Sequence, residues 1–267
     1  MNPSSSVTLR SGREMPLLGL GTWQLRHDTA GTTAEALRLG YRMIDTSGDY
    51  GTQPGVGEGI RASGVERDDI FLITKIEEDE DAYAAAKRNV SELGVDAVDL
   101  ILVHRPPDDG VGEDLWNGLI RARDEGLTRD IGVSNYSETQ MEALMDATGV
   151  VPTVNQIEWT PFGHSLEMLD FAEECGICIQ AYSPLTRGTR IDDEVLAAIA
   201  KRHQATPAQV LIRWNLQQGT VPLPKANRRD HLRENLGVFD FELDVRDMAA
   251  LSELNERYSA LGQLAYA

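Results

Sequence analysis

The feature that most constrains this chain is an alternation of short apolar runs with amphipathic segments over most of its length. Eight runs have the length and composition of buried strands, and helical periodicity fills several of the intervals between them. Eight strands alternating with helices over about 250 residues predict a closed parallel (β/α)8 barrel, and a doubly wound open sheet is the competing architecture. The runs are LLGL (17–20), YRMI (41–44), IFLITK (70–75), DLILVH (99–104), IGVS (131–134), TVNQ (153–156), ICIQAY (177–182) and TVPLP (220–224).

Further elements are predicted between the runs and at both ends of the chain. A short hairpin is expected at residues 7–9 and 14–16, turning at Ser11–Gly12, and an extra helix followed by a mobile tail is expected from about Asp244. No linker or low-complexity segment interrupts the pattern, so we predict one α/β domain, a TIM barrel, over residues 1–267. Helical periodicity is clearest over residues 81–93, 114–125, 138–147, 166–174 and 207–217.

The charge of the chain restricts its partners. Asp and Glu number 43 against 25 Lys and Arg, which gives a net charge of −18, and a surface this acidic repels the phosphates of nucleic acids. Only four of the basic residues are lysines. Many acids with few lysines are typical of a hydrated surface that is stable in concentrated salt, where self-repulsion is screened. We therefore expect an acidic, halophilic protein without a nucleic-acid partner.

Targeting signals and metal-binding patterns are not evident. The start of the chain lacks a basic region followed by an apolar core, and no apolar run approaches the roughly 20 residues of a spanning helix, so we expect a cytoplasmic protein without a membrane partner. Cys175 and Cys178 form a C-x-x-C pair, which is either a redox pair or half of a metal site, or two small structural thiols. With no second cysteine pair and no cluster of His and carboxylate ligands, we favour structural thiols and no metal.

Polar residues stand where the predicted strands end. In a (β/α)8 barrel, functional side chains lie at the carboxyl ends of the strands and in the loops that follow. Asp45 and Tyr50 follow the second strand, Lys75 ends the third and His104 ends the fourth. Each residue by itself is compatible with a helix cap, a packed aromatic or a core histidine, and together they are compatible with a structural ion-pair network. Their occurrence on consecutive βα units, on one face of the barrel, favours an active site.

The four side chains together suit the reduction of a carbonyl group. Hydride transfer to a carbonyl carbon requires a proton for the oxygen, and tyrosine, with a pKa of about 10, is a weak acid at neutral pH. A nearby ammonium group lowers that pKa. Lys75 is expected to supply this charge to Tyr50, with Asp45 holding the lysine, while His104 orients the substrate carbonyl by a hydrogen bond.

In addition, the sequence resembles the aldo-keto reductase family over nearly its whole length. The resemblance implies a (β/α)8 barrel that reduces aldehydes and ketones with a nicotinamide cofactor, usually NADPH, and a catalytic tetrad of Asp45, Tyr50, Lys75 and His104 with Tyr50 as the proton donor. The matching stretches, in chain order, are GLGTW (19–23), GYRMIDTSGDYG (40–51), ITK (73–75), ILVH (101–104), GVSNY (132–136), NQIE (155–158), QAYSPL (180–185) and LPKANRRDHLREN (223–235).

The resemblance also implies a set of cofactor contacts in the later βα units. The nicotinamide carboxamide and ring, the diphosphate, the adenosine phosphate and the adenine are each assigned residues, in that order along the chain. The implied contacts are Ser134, Asn135 and Gln156 for the carboxamide, Tyr182 for the ring, Ser183 and Leu185 for the diphosphate, Lys225 for the phosphate, and Glu234 and Asn235 for the adenine. The glycines of GVGEGI (55–60) do not have the spacing of a Rossmann fingerprint, so no Rossmann domain is predicted.

Two departures from the family concern the cofactor. The family often has an arginine where His231 stands and a serine where Ala226 stands. Arg228 and Arg229 are able to compensate, because guanidinium groups suit phosphate oxygens, although they are equally compatible with solvated charges at a helix start. We expect NADP as the cofactor and leave NAD open.

The substrate side is less specified. Trp23 matches a pocket aromatic of the family, and a second family tryptophan is replaced by Glu77, which opens the acidic run EEDED (77–81). If Glu77 faces the pocket, anionic substrates are disfavoured. We expect a monomer that reduces small aldehydes and ketones, including keto-sugars of the diketogluconate type. The alternative is a cofactor-sensing binding module of the same superfamily with little turnover.

Overall fold

The computed structural model of the protein describes residues 1–25 and 27–266. It contains a two-stranded antiparallel hairpin, β1 (Ser6–Thr8) and β2 (Glu14–Pro16), followed by eight parallel strands whose order in the sheet follows the chain. The predicted hairpin and the eight predicted strands are therefore confirmed. The parallel strands are β3 (Leu20–Gly21), β4 (Met43–Asp45), β5 (Phe71–Ile76), β6 (Val98–Val103), β7 (Thr128–Ser134), β8 (Val154–Glu158), β9 (Cys178–Tyr182) and β10 (Val221–Pro222).

The first and last parallel strands meet and close the sheet into a barrel. The backbone N–H groups of Gly19 and Gly21 donate to the carbonyl oxygens of Pro222 and Pro224, each at 3.2 Å. A side chain at Gly21 would place its Cβ 2.8 Å from the carbonyl oxygen of Leu223, which is closer than real Cβ atoms approach. Glycine is thus required at the seam, and the fold is the expected (β/α)8 barrel rather than an open sheet.

Helices surround the barrel, and the five predicted from periodicity are each present to within one residue at either end. The extra helix expected from about Asp244 is also confirmed, with Asp244 as its N-cap. Four helices without a clear periodic signal accompany them. In chain order the helices are α1 (Thr29–Leu39), α2 (Gln53–Ser63), α3 (Ala82–Leu93), α4 (Glu113–Asp124), α5 (Glu138–Thr148), α6 (Leu166–Cys175), α7 (Glu194–His203), α8 (Pro207–Gln217), α9 (Arg229–Leu236) and α10 (Val245–Ser252).

The glycine-rich segment 55–60 lies inside α2, where its glycines permit close packing. A Cβ at Gly57 would overlap the carbonyl oxygen of Leu93 at the end of α3, and one at Gly59 would overlap the carbonyl oxygen of Ala30 in α1. Glycine has a low intrinsic helix propensity, so the sequence of α2 gives little local signal for a helix. Its contacts with α1 and α3 explain both the helix and the glycine spacing.

Two apolar cores follow from the alternation of side chains along the strands. Leu100 and Leu102 of β6 point into the barrel, whereas Ile101 and Val103 pack against the surrounding helices. Met15 from the hairpin joins the inner core and is fully buried. The barrel interior is therefore filled and covered by the hairpin, which leaves the carboxyl ends of the strands as the open end.

The C-x-x-C pair connects α6 to β9 and contains two free thiols at Cys175 and Cys178. Burial raises the pKa of the Cys178 thiol to about 12, so this group is a poor nucleophile at neutral pH, as expected of a structural cysteine. In the part of the chain that the structure describes, no helix is both long enough and apolar enough to cross a membrane.

Candidate active site

Alternation along three neighbouring strands directs Asp45, Lys75 and His104 to the inside of the barrel. Lys75 stands two residues after Ile73, and His104 stands two residues after Leu102. Ile73 and Leu102 both belong to the inner core. Because residues two apart in a strand share a face, the polar residues continue the inward rows at the strand ends. Parallel strands bring these ends to one mouth of the barrel, where the three side chains meet.

Lys75 and Asp45 form a buried ion pair at the base of the site. The Lys75 side chain is fully buried, and its Nζ donates to both carboxylate oxygens of Asp45 at 2.8 Å and to the carbonyl oxygen of Thr46 at 2.9 Å. Oδ2 of Asp45 also accepts from Nε2 of Gln156 at 2.8 Å. A buried ammonium is costly unless it is paired, and here each charge has a partner.

Tyr50 lies between the lysine and the histidine. It ends a 3-10 turn, Gly48–Tyr50, that returns the chain over the barrel mouth after β4. Nζ of Lys75 lies 5.1 Å from the centre of the Tyr50 ring, and the Tyr50 and His104 rings are 5.7 Å apart in an edge-on arrangement. The four residues predicted as a group from the sequence are thus brought together.

The acidity expected of Tyr50 is not what its surroundings produce. Burial raises the pKa of Tyr50 well above its usual value, and the charges of Asp45, Asp49 and Glu77 raise it further, opposed by Arg105. The expectation of a lowered pKa for Tyr50 is therefore wrong, because the net shift is upward. The ammonium of Lys75 is balanced by Asp45, so nearby carboxylates outweigh it.

Glu77, at the position of the missing tryptophan, lies behind His104. Its Oε1 lies 2.7 Å from Nδ1 of His104 and accepts from Oγ of Ser47 at 3.2 Å, and Oε2 accepts from Arg105 at 3.4 Å. Burial opposes its ionisation, but the hydrogen bond and charge of His104, with Arg105 and Ser47, hold the pKa of Glu77 below its usual value.

The mouth of the barrel opens into a cavity of about 1010 Å³. Glu77 is not among its lining residues, so the condition for disfavouring anionic substrates is not met. Lys75 lies beneath the lining, and Arg228, Glu234 and Asn235 lie outside it. The predicted residues that line the cavity are Trp23, Asp45, Tyr50, His104, Ser134, Asn135, Gln156, Tyr182, Ser183, Leu185 and Lys225.

A chain of hydrogen bonds fixes the polar residues at the ends of β7, β8 and β9. Oγ of Ser134 donates to the carbonyl oxygen of Gln156 at 2.8 Å, and Nδ2 of Asn135 donates to the carbonyl oxygen of His104 at 3.0 Å. Oδ1 of Asn135 accepts from the Tyr182 hydroxyl at 2.7 Å. Asn135 has a left-handed backbone, with φ of 64°, which is uncommon away from glycine and is often associated with functional sites.

Gln180, which is buried at the inner end of this network, was not predicted as a site residue. Its Oε1 accepts from Nε2 of Gln156 at 3.0 Å, so it orients the amide that also bonds Asp45. The available signal was its position two residues before Tyr182, on the same inward row of β9.

The loop after β9 contains three non-glycine residues with positive φ, Ser183, Thr186 and Arg187, with φ between 47° and 53°. The Arg187 guanidinium lies 4.3 Å from the centre of the Trp23 ring, and both residues line the cavity. Arg187 was not predicted as a site residue. Strained backbone in a loop over a cavity is typical of binding segments, because the surrounding structure must hold it.

Beyond the cavity lining, α9 contains the residues predicted for the adenine. The Glu234 carboxylate accepts from the Thr206 hydroxyl, which caps α8, and Asn235 is buried with no partner for Nδ2. Arg228 directly precedes the helix, and Arg229 pairs with Glu35 at 2.8 Å. Arg229 is therefore already engaged by a carboxylate, which weakens it as a substitute for the missing phosphate-binding arginine.

The C-terminal tail packs over the site instead of extending as the expected mobile segment. The two carboxylate oxygens of Glu158 accept from N–H of Ala260 at 2.7 Å and from Oγ of Ser259 at 2.6 Å. The Tyr266 hydroxyl donates to the carbonyl oxygen of Gly163 at 2.8 Å. These bonds fix the tail against β8 and the loop after it. The tail residues that line the cavity are Leu261, Gln263 and Ala265.

Comparison with known proteins identifies this arrangement. The model of the Aldo/keto reductase family matches residues 17–256. The chain belongs to the aldo-keto reductase family. An aldo-keto reductase of Mycolicibacterium smegmatis is 41% identical over 257 residues, covering 94% of each chain. The aldo-keto reductase ML1669 of Mycobacterium leprae is 40% identical, covering 94% of this chain and 91% of its own.

Solved aldo-keto reductases share the fold of this one. The Brucella melitensis aldo/keto reductase superposes with a TM-score of 0.89 at 36% identity, covering 94% of this chain and 99% of its own. The Bombyx mori aldo-keto reductase, solved in complex with NADP, superposes with a TM-score of 0.90 at 30% identity, covering 97% and 95% of the two chains. The barrel fold is thus that of the family.

Proposed function

We propose that this aldo-keto reductase reduces aldehydes and ketones to alcohols with NADPH, with Tyr50 as the proton donor. The observation that supports this best is the meeting of Tyr50, His104 and the buried Lys75–Asp45 pair at the floor of one open cavity. Polar groups gathered at the carboxyl ends of barrel strands, around a cavity, are typical of a catalytic site.

The residues around the cavity fit a phosphate-bearing cofactor. Lys225 lines the cavity, and within the described residues its ammonium makes no ion pair or hydrogen bond, so it is available to a phosphate. Asn235, on α9, is buried and would hold the adenine. Asn135 and Gln156 would hold the carboxamide, with Tyr182 against the ring. When bound, NADPH supplies the hydride that the carbonyl carbon accepts.

The chain's own residues then handle the proton. The raised pKa of Tyr50 keeps its phenol protonated at neutral pH, so the hydroxyl is able to donate to the carbonyl oxygen and to give up its proton as that oxygen becomes an alcohol. Lys75, fixed by Asp45, places a positive charge 5.1 Å from the Tyr50 ring and stabilises the phenolate left behind. His104 orients the carbonyl from the other side of Tyr50.

NADPH is proposed over NADH, and the choice is open to a direct test. Lys225 and Arg228 supply the positive charges near the start of α9, where a 2′-phosphate is expected, whereas Ala226 is buried and His231 is exposed on the helix. We expect a higher kcat/KM with NADPH than with NADH, and a lower NADPH preference in Arg228→Ala. A preference of the wild-type enzyme for NADH would contradict this part of the proposal.

For the substrate we propose small carbonyl compounds, including keto-sugars of the diketogluconate type. The cavity wall combines the apolar faces of Trp23 and Leu261 with the polar groups of Arg105 and Gln263, which suits a small molecule with both characters. A monomeric, cytoplasmic and salt-adapted enzyme remains part of the same proposal.

The decisive experiment replaces the proton donor. Tyr50→Phe keeps the ring but removes the hydroxyl, so we expect cofactor binding to be retained while kcat falls about 100-fold or more, the range for loss of a general acid. Cofactor oxidation is followed by absorbance over a panel of aldehydes and ketones, and binding by quenching of protein fluorescence. Tyr83→Phe, on the outer surface beside Glu125, is the matched control and should match the wild type.

Two outcomes would count against this proposal. Full turnover in Tyr50→Phe would remove Tyr50 as the donor. Tight NADPH binding by the wild type with no turnover across the panel would favour the alternative, a cofactor-sensing binding module.

A further inference from the structure

Glu77 contacts His104 at one of its two ring nitrogens, Nδ1. Oε1 of Glu77 lies 2.7 Å from Nδ1 of His104, and the exposed fraction of the His104 side chain is only 9%. Glu77 itself does not line the cavity, whereas His104 does. The carboxylate therefore acts on the site through the histidine ring.

An ionised carboxylate accepts hydrogen bonds and cannot donate one. Surrounding groups hold the pKa of Glu77 below its usual value, so at neutral pH the proton between the two groups belongs on Nδ1. A neutral imidazole has one N–H only. When Nδ1 holds that hydrogen, Nε2 has a lone pair and is unable to donate to a carbonyl oxygen. Only the imidazolium form donates from both nitrogens.

We propose that Glu77 is a positioning residue that holds neutral His104 in its Nδ1–H form, so that His104 donates to a substrate carbonyl only while the ring is protonated. This inference rests on the proposed carbonyl reduction. It makes the activity depend on the charge of His104, which a histidine donating from a neutral Nε2–H would not require.

The groups around His104 come from each element packed against it. The turn after β4 contributes Tyr50 and also Asp49, whose Oδ1 lies 3.7 Å from Nδ1. The segment after β6 contributes Arg105, which pairs with both Glu77 and Glu78. Asn135, from the end of β7, contacts the His104 backbone oxygen. Glu77 and Asp49 are thus the two carboxylates on the Nδ1 side, and Glu77 is the nearer by 1.0 Å.

Those three side chains, Asp49, Glu77 and His104, place one nitrogen or oxygen atom each within 4.8 Å of one another. No cluster of His and carboxylate groups was predicted, because the three residues are distant in the chain. Since Nδ1 already pairs with Glu77, the cluster is a hydrogen-bonded pair with a second carboxylate, Asp49, beside it.

Replacing Glu77 by glutamine should reverse the tautomer with little other change. The position of Oε1 faces Nδ1 of His104 and the hydroxyl of Ser47, and the position of Oε2 faces Arg105. A glutamine amide satisfies all three when its NH₂ takes the first position and its oxygen the second. The NH₂ then donates to Nδ1, which leaves the hydrogen of the neutral ring on Nε2, where it is able to reach a carbonyl.

The tautomer is measured directly on the cofactor-free protein by long-range ¹H–¹⁵N NMR of ¹⁵N-histidine-labelled samples, with His104→Asn assigning the signal. Above the pH at which the ring loses its proton, we expect Nδ1–H in the wild type and in Glu77→Asp, and Nε2–H in Glu77→Gln. Asp79→Asn removes one charge from the same acidic run at an exposed site and should behave as the wild type.

The kinetic test compares pH profiles of kcat/KM for carbonyl reduction, each scaled to its own maximum. In the wild type and in Asp79→Asn, activity should fall at least about tenfold across the pH range in which NMR shows His104 losing its proton. In Glu77→Gln, the fall over this range should be absent or less than about threefold. Glu77→Asp, which keeps a carboxylate, should restore the wild-type profile.

Two results would overturn the inference: neutral wild-type His104 with its hydrogen on Nε2, or matching pH profiles for the wild type and Glu77→Gln. Failure of the proposed function is separable, because the NMR measurement does not involve turnover. A wild type that shows Nδ1–H but reduces no carbonyl would refute the function and the kinetic part together, while the tautomer assignment would stand.

Discussion

The surroundings of Tyr50 decide how this residue behaves as an acid. Its side chain is partly buried. Three carboxylates, Asp45, Asp49 and Glu77, oppose loss of its proton. Asp49 is adjacent in the chain, but Glu77 reaches the site from the next βα unit. The type of residue and its position at the strand end are visible in the sequence. The sign of the pKa shift depends on the sum of charges from several units, so it was predicted wrongly.

A spectroscopic prediction follows for Tyr50. Because its pKa is raised, the phenol should stay protonated when ordinary tyrosines, with a pKa of about 10, begin to ionise. The rise in tyrosinate absorbance between neutral pH and about pH 10 should therefore be the same in the folded wild type and in folded Tyr50→Phe. In denaturant all seven tyrosines titrate, and the variant should then lose one seventh of the change. A smaller folded-state rise in the variant would contradict the raised pKa.

For His104 and Gln156, too, the sequence predicted the residue but not its surroundings. Both were predicted from their positions at strand ends, yet their partners, Glu77 for the one and Asp45 with Gln180 for the other, are set by contacts between strands. Residue type and inward alternation can be read locally. The choice of hydrogen-bond partner cannot, since the partners lie tens of residues away.

Among the elements, helices with a clear apolar period were located to within one residue at each end, and α2 is one of four helices that were not predicted. The five recognised helices bury one face, so the periodic pattern is strong. In α2 the glycines at 55, 57 and 59 weaken both the pattern and the intrinsic propensity, and packing against α1 and α3 stabilises the helix instead.

The close packing of α2 against α3 leads to a prediction about stability. In an exposed helix, Gly→Ala stabilises by about 1 kcal/mol through helix propensity. At Gly57 the new methyl group would overlap the carbonyl oxygen of Leu93, so we expect Gly57→Ala to lower the free energy of unfolding by about 1–3 kcal/mol, measured by urea denaturation. Glu58→Ala, at an exposed site of the same helix, should be neutral or slightly stabilising. Stabilisation by Gly57→Ala would show that α3 does not approach so closely.

At the level of the whole molecule, the net charge of −18 should make stability depend on salt. Self-repulsion among surface carboxylates is screened as the Debye length falls from about 10 Å at 0.1 M to about 3 Å at 1 M salt. We expect the free energy of unfolding to rise by about 1–2 kcal/mol over that range of KCl, in urea titrations. The triple variant Glu58→Gln, Asp109→Asn, Asp192→Asn, which neutralises exposed carboxylates, should respond less steeply. Equal stability in low and high salt would contradict the salt-adapted surface.

The molecule as a whole also shows where the tail belongs. Residues after α10 were expected to be mobile, but hydrogen bonds from Ser259, Ala260 and Tyr266 to the region of β8 fix them over the cavity. Their sequence has little periodicity, and their order comes from acceptors on Glu158 and Gly163 that only the folded barrel presents. The extent of a single domain over residues 1–267 stays a prediction.

The sequence by itself determined the eight-stranded barrel, the hairpin, most helices and the residue types at the mouth. The elements depend on local periodicity, and the mouth follows because the carboxyl ends of all parallel strands lie at the same end of the barrel. Only the tertiary structure decided that Lys75 is neutralised by Asp45, that Tyr50 is a weaker acid than expected, that Glu77 lies behind His104 and that the tail covers the cavity. These features arise from charges and hydrogen bonds between residues far apart in the chain. Their strength depends on burial and distance, which exist only once the barrel has closed.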